Sequence, residues 1–165
     1  MRGTEKALGE SVIETARLRL RKFIPEDDEF IYHLLNSPGW LKNIGTRNII
    51  TTIDARNYIT GKLMPAYDKF GFGFWLIELK ENSPAVGMCG LIKREGLDDV
   101  DLGFALLPEH EKKGYAIESS KAVLVYAKET LNLGKVAAIT VPHNSGSIEL
   151  LKKCGMEFEK MINLP

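Results

Sequence analysis

The sequence predicts an α/β (α+β) domain built on a mixed, mostly antiparallel central sheet flanked by about four helices. Three observations lead there. Six stretches carry the alternation or the apolar density of strands, and four carry apolar residues at helical steps. The helical pattern Tyr115 to Leu131 follows the strand pattern Val100 to Leu107 and precedes the β-rich run Lys135 to Val141, so those two strands should be parallel neighbours joined by a crossover helix. With 165 residues, 44% of them hydrophobic, the chain is expected to form one domain over residues 1–165.

Residues Met1 to Ser11 are polar, and fraying is expected there. Thr15 to Phe23 alternates, with Leu18 and Leu20 on one face and Arg17, Arg19 and Arg21 on the other, the period of a half-buried strand. Pro25 heads PEDDEFIYHLLNS, whose acidic first turn and apolar stripe predict a helix. Asn36 to Asn48 holds Pro38, Gly39 and Gly45 around Trp40 and reads as a loop of the kind that often holds substrate. Thr52 to Tyr67 predicts a second helix, ended by Pro65. GFGFWLIELK (71–80) and AVGMCGLIK (85–93), separated by Asn82-Ser83-Pro84, should pair as a hairpin, and Val100 to Leu107 extends them into a three-stranded meander. After the crossover, Pro142 stops the run, Asn144 caps a helix over Ser145 to Lys153, and Met156 to Leu164 is expected as a last strand.

A formal net charge of +0 gives no general attraction to nucleic acid or to anionic lipid, so neither partner is expected. The first residues, MRGTEKALGESVIE, lack the apolar core of a signal peptide, and no apolar run approaches the span of a bilayer. A cytoplasmic protein is expected. Cys89 and Cys154 lie in apolar settings without CxxC spacing, and His33, His110 and His143 have no metal-ligand spacing, so reduced thiols and no metal are expected.

Everything is organised around Asp98 to Ser120, where a strand feeds a short charged loop and then a helix start at Gly114. First-turn N–H groups without intrahelical partners, at the positive end of the helix dipole, make such a junction an anion site. EKKGYA, Glu111 to Ala116, resembles the acyl-CoA pyrophosphate loop of the GNAT N-acetyltransferases, with Gly114 and Ala116 at matching positions. Asp101-Leu102-Gly103-Phe104 and Glu118 resemble the RimJ/RimL-like branch, which acetylates α-amino groups of ribosomal proteins. Asn144, Ser147 and the run KKCGMEF (152–158) are similar to its Asn-x-x-Ser helix and its ending. Two positions depart from the pattern. Glu111 stands where the family usually has Arg or Gln, and Leu151 where many members carry a Tyr that protonates the leaving thiolate. The family usually has one further strand after Met156 to Leu164.

The resemblance implies a GNAT-type domain in which the parallel strand pair splays and acetyl-CoA lies between its strands as cosubstrate. It implies contacts from Phe104, Ala105 and Leu106 to the pantetheine arm, and from Glu111, Lys112, Lys113, Gly114, Tyr115 and Ala116 to the pyrophosphate, with Asn144 and Ser147 on the thiol side. Asp101 is the candidate general base and Ser147 the candidate acid; as structural alternatives, Asp101 is a carboxylate tied to backbone N–H groups or an Arg, and Asn144 a plain helix cap. Glu118 reads as a loop support. Trp40, Phe74 and Trp75 are candidates to line the acceptor pocket, against the alternative of ordinary core aromatics. The acceptor implied is a primary amine, a protein or peptide N-terminus first, with a polyamine, amino sugar or antibiotic as the alternative and a non-catalytic acyl-CoA sensor as a further one. A homodimer stays open. A nucleotide-binding module is excluded, because there is no GxxxxGK[ST] and Gly71-Phe72-Gly73 lies inside an aromatic strand with no helix after it.

Overall fold

Pleat alternation decides which side chains meet on each face of the sheet. The computed structural model describes residues 9–163. The fraying expected for Met1 to Ser11 falls, over residues 1–8, outside the described residues, and Ser11 itself opens a strand. The strands are β1 (Ser11–Glu14), β2 (Leu18–Arg21), β3 (Phe74–Leu79), β4 (Ala85–Ile92), β5 (Val100–Leu106) and β6 (Val136–Ala138). They form one sheet in the order β1-β2-β3-β4-β5-β6, antiparallel throughout except for the parallel pair β5 and β6. The helices are α1 (Asp28–Leu35), α2 (Pro38–Asn43), α3 (Thr52–Tyr58), α4 (Met64–Phe70), α5 (Tyr115–Glu129) and α6 (Ser145–Lys153).

Odd and even positions of the strands feed two separate cores. Leu18, Leu20, Trp75, Ile77, Leu91 and Leu102 pack on one face, closed by Val123 and Ala127 of α5. Phe23, Leu76 and Met88 pack on the other, closed by Ile31, Leu34 and Leu35 of α1 and Ala55 of α3. On this second face Arg21 is nearly enclosed. Its Nη2 donates to Asp27 Oδ1 at 2.9 Å and its Nε to Glu78 Oε2 at 3.1 Å, which ties β2 and β3 to the start of α1. Burial alone would pull the guanidinium down, but the two carboxylates outweigh it and its affinity for the proton is raised.

Four elements differ from the sequence reading, each for a physical reason. Thr15 to Phe23 is not one strand: β2 is its middle, and the preceding β1 forms because Val12 and Ile13 pack against the α5-side core. The loop expected over Asn36 to Asn48 contains α2, which starts with Pro38 in its first turn, where a missing N–H breaks no bond. Pro65 does not end the second helix. A π-helical turn over Ile59–Leu63 separates α3 from α4 and leaves Pro65 in a first turn again, so the chain continues to Gly71, whose φ of 80° terminates it. The strand expected from Met156 is not formed over residues 156–163, and Leu164 lies outside the described residues. β6 has three residues, and Phe158 and Met161 are more than two-thirds exposed, so nothing there pays for ordering a further strand.

Candidate active site

The β5–β6 ladder has three rungs, Val100↔Val136, Asp101↔Ala137 and Leu102↔Ala138. Beyond Leu102 the strands part, and the edge of β5 from Gly103 to Leu106 faces a gap. β4 holds the other edge in register through Gly87↔Leu106, so the parting is on one side. A cleft of about 500 Å³ occupies the gap. One wall is Phe104, Ile139, Thr140, Asn144, Ser147 and Leu151. On the helical face the cleft continues past Gly103 to Phe74, Trp40, Tyr58, Arg47 and Arg94.

The floor depends on a glycine. A Cβ at Gly103 would come within 2.8 Å of two ring atoms of Phe74 and 3.1 Å of Ile92 Cδ1, so the aromatic ring lies flush against bare backbone. At the far wall Asn144 caps α6: its Oδ1 accepts from the Ser147 N–H at 3.2 Å. Leu151, one helical turn further on, presents an apolar side chain to the same wall.

Asp101 is 1% exposed, does not line the cleft, and is held at its margin by Arg94, whose Nε donates to Oδ2 at 2.9 Å. Its Oδ1 is buried without a partner. Burial pushes this carboxyl above its usual range, and Arg94 only partly offsets the effect. Of the expected aromatics, Trp40 and Phe74 line the cleft and Trp75 does not. Trp75 packs edge-on against Tyr126 of α5, in the opposite core. Neighbouring residues on a strand point to opposite faces, so Phe74 and Trp75 cannot share a pocket. Of the expected β5 contacts, Phe104 reaches the cleft, while Ala105 packs toward the helical face and Leu106 toward α5.

The loop before α5 sits beside the cleft. Lys112 (φ 62°) and Gly114 (φ 84°) are both left-handed, and none of the N–H groups from Lys112 to Ile117 donates to another group among the described residues. Lys112 and Lys113 are exposed, and Ala116 opens the helix after Tyr115. Glu111 turns aside: one of its carboxylate oxygens lies 3.9 Å from where a Cβ on Gly39 of α2 would be. Arg17 fixes the loop from the turn before β2. Its Nη1 donates to the Lys113 carbonyl at 2.9 Å, its guanidinium covers the Tyr115 ring at 4.7 Å, and its Nε donates to Glu118 at 2.7 Å. Thr15 Oγ1 donates to the same carboxylate at 2.6 Å. Burial would raise Glu118, but these bonds together hold it below the usual carboxylate range.

Sequence reasoning did not find Arg17, Arg47, Tyr58 or Arg94. Arg94 and Asp101 flank one hairpin seven residues apart, which could have been read as a cross-strand pair; nothing in the sequence marks Arg47. Cys89 is buried, its thiol pushed up to about 12 by desolvation. Among the described residues no cluster of three His, Cys, Asp or Glu could hold a metal ion, and no helix is long and apolar enough to cross a membrane.

Residues 17–157 match the model of the acetyltransferase (GNAT) domain. The chain is 27% identical over 147 residues to the uncharacterised N-acetyltransferase YnaD of Bacillus subtilis (strain 168), covering 89% of this chain and 83% of that one. A solved GNAT-family acetyltransferase from Bacillus anthracis superposes with a TM-score of 0.76 at 28% identity, over 90% of this chain and 84% of the other. An acetyltransferase from Agrobacterium tumefaciens str. C58 gives a TM-score of 0.80 at 23% identity, over 99% and 93%, which speaks to the fold. A strand pair that parts over a cleft, a loop of open N–H groups beside it and a family match across most of the chain converge: this protein belongs to the GNAT family and is an acetyl-CoA-dependent N-acetyltransferase.

Proposed function

We propose that the enzyme acetylates a primary amine by direct attack, with a protein or peptide N-terminal α-amine as the acceptor class that the RimJ/RimL resemblance favours. The observation that carries this reading is the cleft opened where the β5–β6 ladder stops at Leu102 and Ala138. The residues present fit the cosubstrate. The unladdered edge of β5 from Gly103 to Leu106 offers backbone groups to the two amides of a pantetheine arm, in the manner of an added strand. The N–H groups of Lys112 to Ala116 offer a cradle to the pyrophosphate, Gly114 bars nothing with a Cβ, and Glu111 is turned toward α2. Acetyl-CoA, when bound, supplies an activated acyl group as a thioester.

Three tasks remain for the chain: to take a proton from the amine, to stabilise charge on the carbonyl oxygen, and to return a proton to the thiolate. Near pH 7 an α-amine is roughly a tenth neutral, whereas a lysine side chain is neutral to about one part in a few thousand. A terminal amine therefore asks less of a base. Asp101 is the base in this reading; it stands behind the lining rather than in it, with Arg94 on its Oδ2 and its Oδ1 enclosed without a partner. A backbone N–H near Phe104 supports the carbonyl oxygen. Ser147 is the acid in the absence of a Tyr at Leu151, and Asn144 fixes the turn that presents it.

The test is free-thiol release from acetyl-CoA against N-terminal peptides, polyamines and aminoglycosides. Thiol release with an N-terminal peptide supports the reading; acetyl-CoA binding with no turnover on any amine overturns it. Gly114→Val, which places a β-branched residue at a φ of 84° with its Cβ 3.1 Å from an Arg17 guanidinium nitrogen, should raise the acetyl-CoA Kd more than tenfold, while the backbone strain of about 1–2 kcal/mol lowers the melting temperature by roughly 2–8 °C. Unchanged affinity would remove the loop from the cosubstrate site.

A further inference from the structure

The acceptor half of the cleft, whose use rests on the function proposed above, has a one-sided chemistry. Two guanidinium groups, Arg47 and Arg94, and the indole of Trp40 line it, and no Asp or Glu does. Arg94 commits its Nε to Asp101, and its two terminal nitrogens have no partner among the described residues. Arg47 is exposed and has no carboxylate partner among the described residues; it donates from Nη1 to the neighbouring Thr46 carbonyl at 3.3 Å, and its guanidinium carbon stands 5.9 Å from the Trp40 ring centroid. Trp40 is 6% exposed, and its Nε1 is buried with no hydrogen-bond partner.

A buried N–H left without an acceptor costs about 1–3 kcal/mol, so folded proteins rarely keep one unless a bound group satisfies it. Asp101 balances Arg94 from behind the wall, which leaves the Arg47 charge and the open donors of the recess unmatched by a carboxylate, and that arrangement describes a receptor for one anionic group. A polyamine or aminoglycoside would instead meet like charges where its ammonium groups need carboxylates. We infer that the acceptor carries an anionic group, a carboxylate or a phosphate, on the same molecule as its reactive amine. Arg47, the free end of Arg94 and the Trp40 N–H bind that group, and the amine is thereby directed to the gap beside Phe104.

The experiment measures binding and turnover separately, so that it fails independently of the acetyltransfer reading. Ala-Asp and Ala-Lys dipeptide amides, phosphoethanolamine, ethanolamine and spermidine are titrated calorimetrically against the CoA-saturated protein, and thiol release from acetyl-CoA is followed with each. The anionic amines should bind roughly tenfold or more tighter than the neutral and polycationic ones, and that margin should shrink as salt is raised. The dipeptide and phosphoethanolamine arms distinguish a carboxylate from a phosphate as the favoured group. Arg47→Gln should abolish the margin and Arg47→Glu invert it, with the acetyl-CoA Kd and the melting temperature unchanged because Arg47 is exposed and pairs with no carboxylate of the fold. Spermidine binding as tightly as the anionic amines overturns the inference, as does an Arg47→Gln variant that weakens acetyl-CoA instead. Thiol release from no amine would sink the acetyltransfer reading, while the calorimetric series would still decide this one.

Discussion

Asp101 occupies a position that folding alone would not choose. One oxygen is bonded to Arg94, the other is sealed without a partner, and burial raises the carboxyl's hold on its proton. The folded state therefore keeps that proton longer than the unfolded chain does, and the group's contribution to stability falls as pH rises from about 4, its unfolded value, through the raised folded value. At pH 7 to 8 Asp101→Asn should leave the melting temperature unchanged or slightly higher, since Arg94 is partly exposed and can return to water. Turnover should drop by roughly 100-fold or more, the contribution of a positioned base. Thermal melts and a kcat–pH profile check the two halves; an Asn variant with full activity and an unaltered acidic limb would return Asp101 to a structural role. The residue's burial was not legible in the sequence, because an Asp on an alternating strand gives no sign of which charges the next hairpin brings to it.

At the scale of elements, the loop–helix junction is positioned by the β1–β2 turn, 101 to 103 residues earlier. Thr15 and Arg17 in the turn between β1 and β2 converge on Glu118 in the first turn of α5, and Arg17 also holds the Lys113 carbonyl. Because Glu118 is held below its unfolded value, its contribution to stability is present above about pH 4.3 and is lost as pH falls through the lower folded value. Glu118→Gln should lower stability at pH 7 by about 1 kcal/mol, discounted for the exposed Arg17, or a melting temperature lower by roughly 2–4 °C. Melts of the two proteins should converge in acid; an equal gap at pH 7 and below pH 4 would show that charge is not the cause. The junction itself was legible from Gly114 and the strand before it, since local chemistry dictates a left-handed helix start. Arg17 was not, because its partners are remote in sequence.

At the scale of the whole molecule, the three-stranded antiparallel meander and the single parallel pair followed from periodicity and one crossover helix, and the structure has both. What periodicity missed was context. β1 forms because Val12 and Ile13 find a core to cover, α2 because Pro38 falls in a first turn, and residues 156–163 form no strand because the short β6 leaves them little to pair with. The same limit applies to the cleft, whose two halves come from distant stretches: Phe104, Asn144 and Ser147 were readable from motifs, while Arg47, Tyr58 and Arg94 meet only through the folded sheet. Sheet faces also explain why Phe74 and Trp75, adjacent and alike in sequence, serve different cores.

The bare backbone at Gly103 has a consequence for evolvability. A methyl group there would strike the tip of the Phe74 ring, a movable side chain rather than fixed backbone, and would tip it into the recess instead of unfolding the sheet. Gly103→Ala should thus act as a size filter: KM for bulky amines rises severalfold, small amines react as before, and comparing KM across a homologous amine series reads the bore directly. Substrate range in this scaffold can drift by the gain or loss of a single carbon, with the catalytic walls left standing.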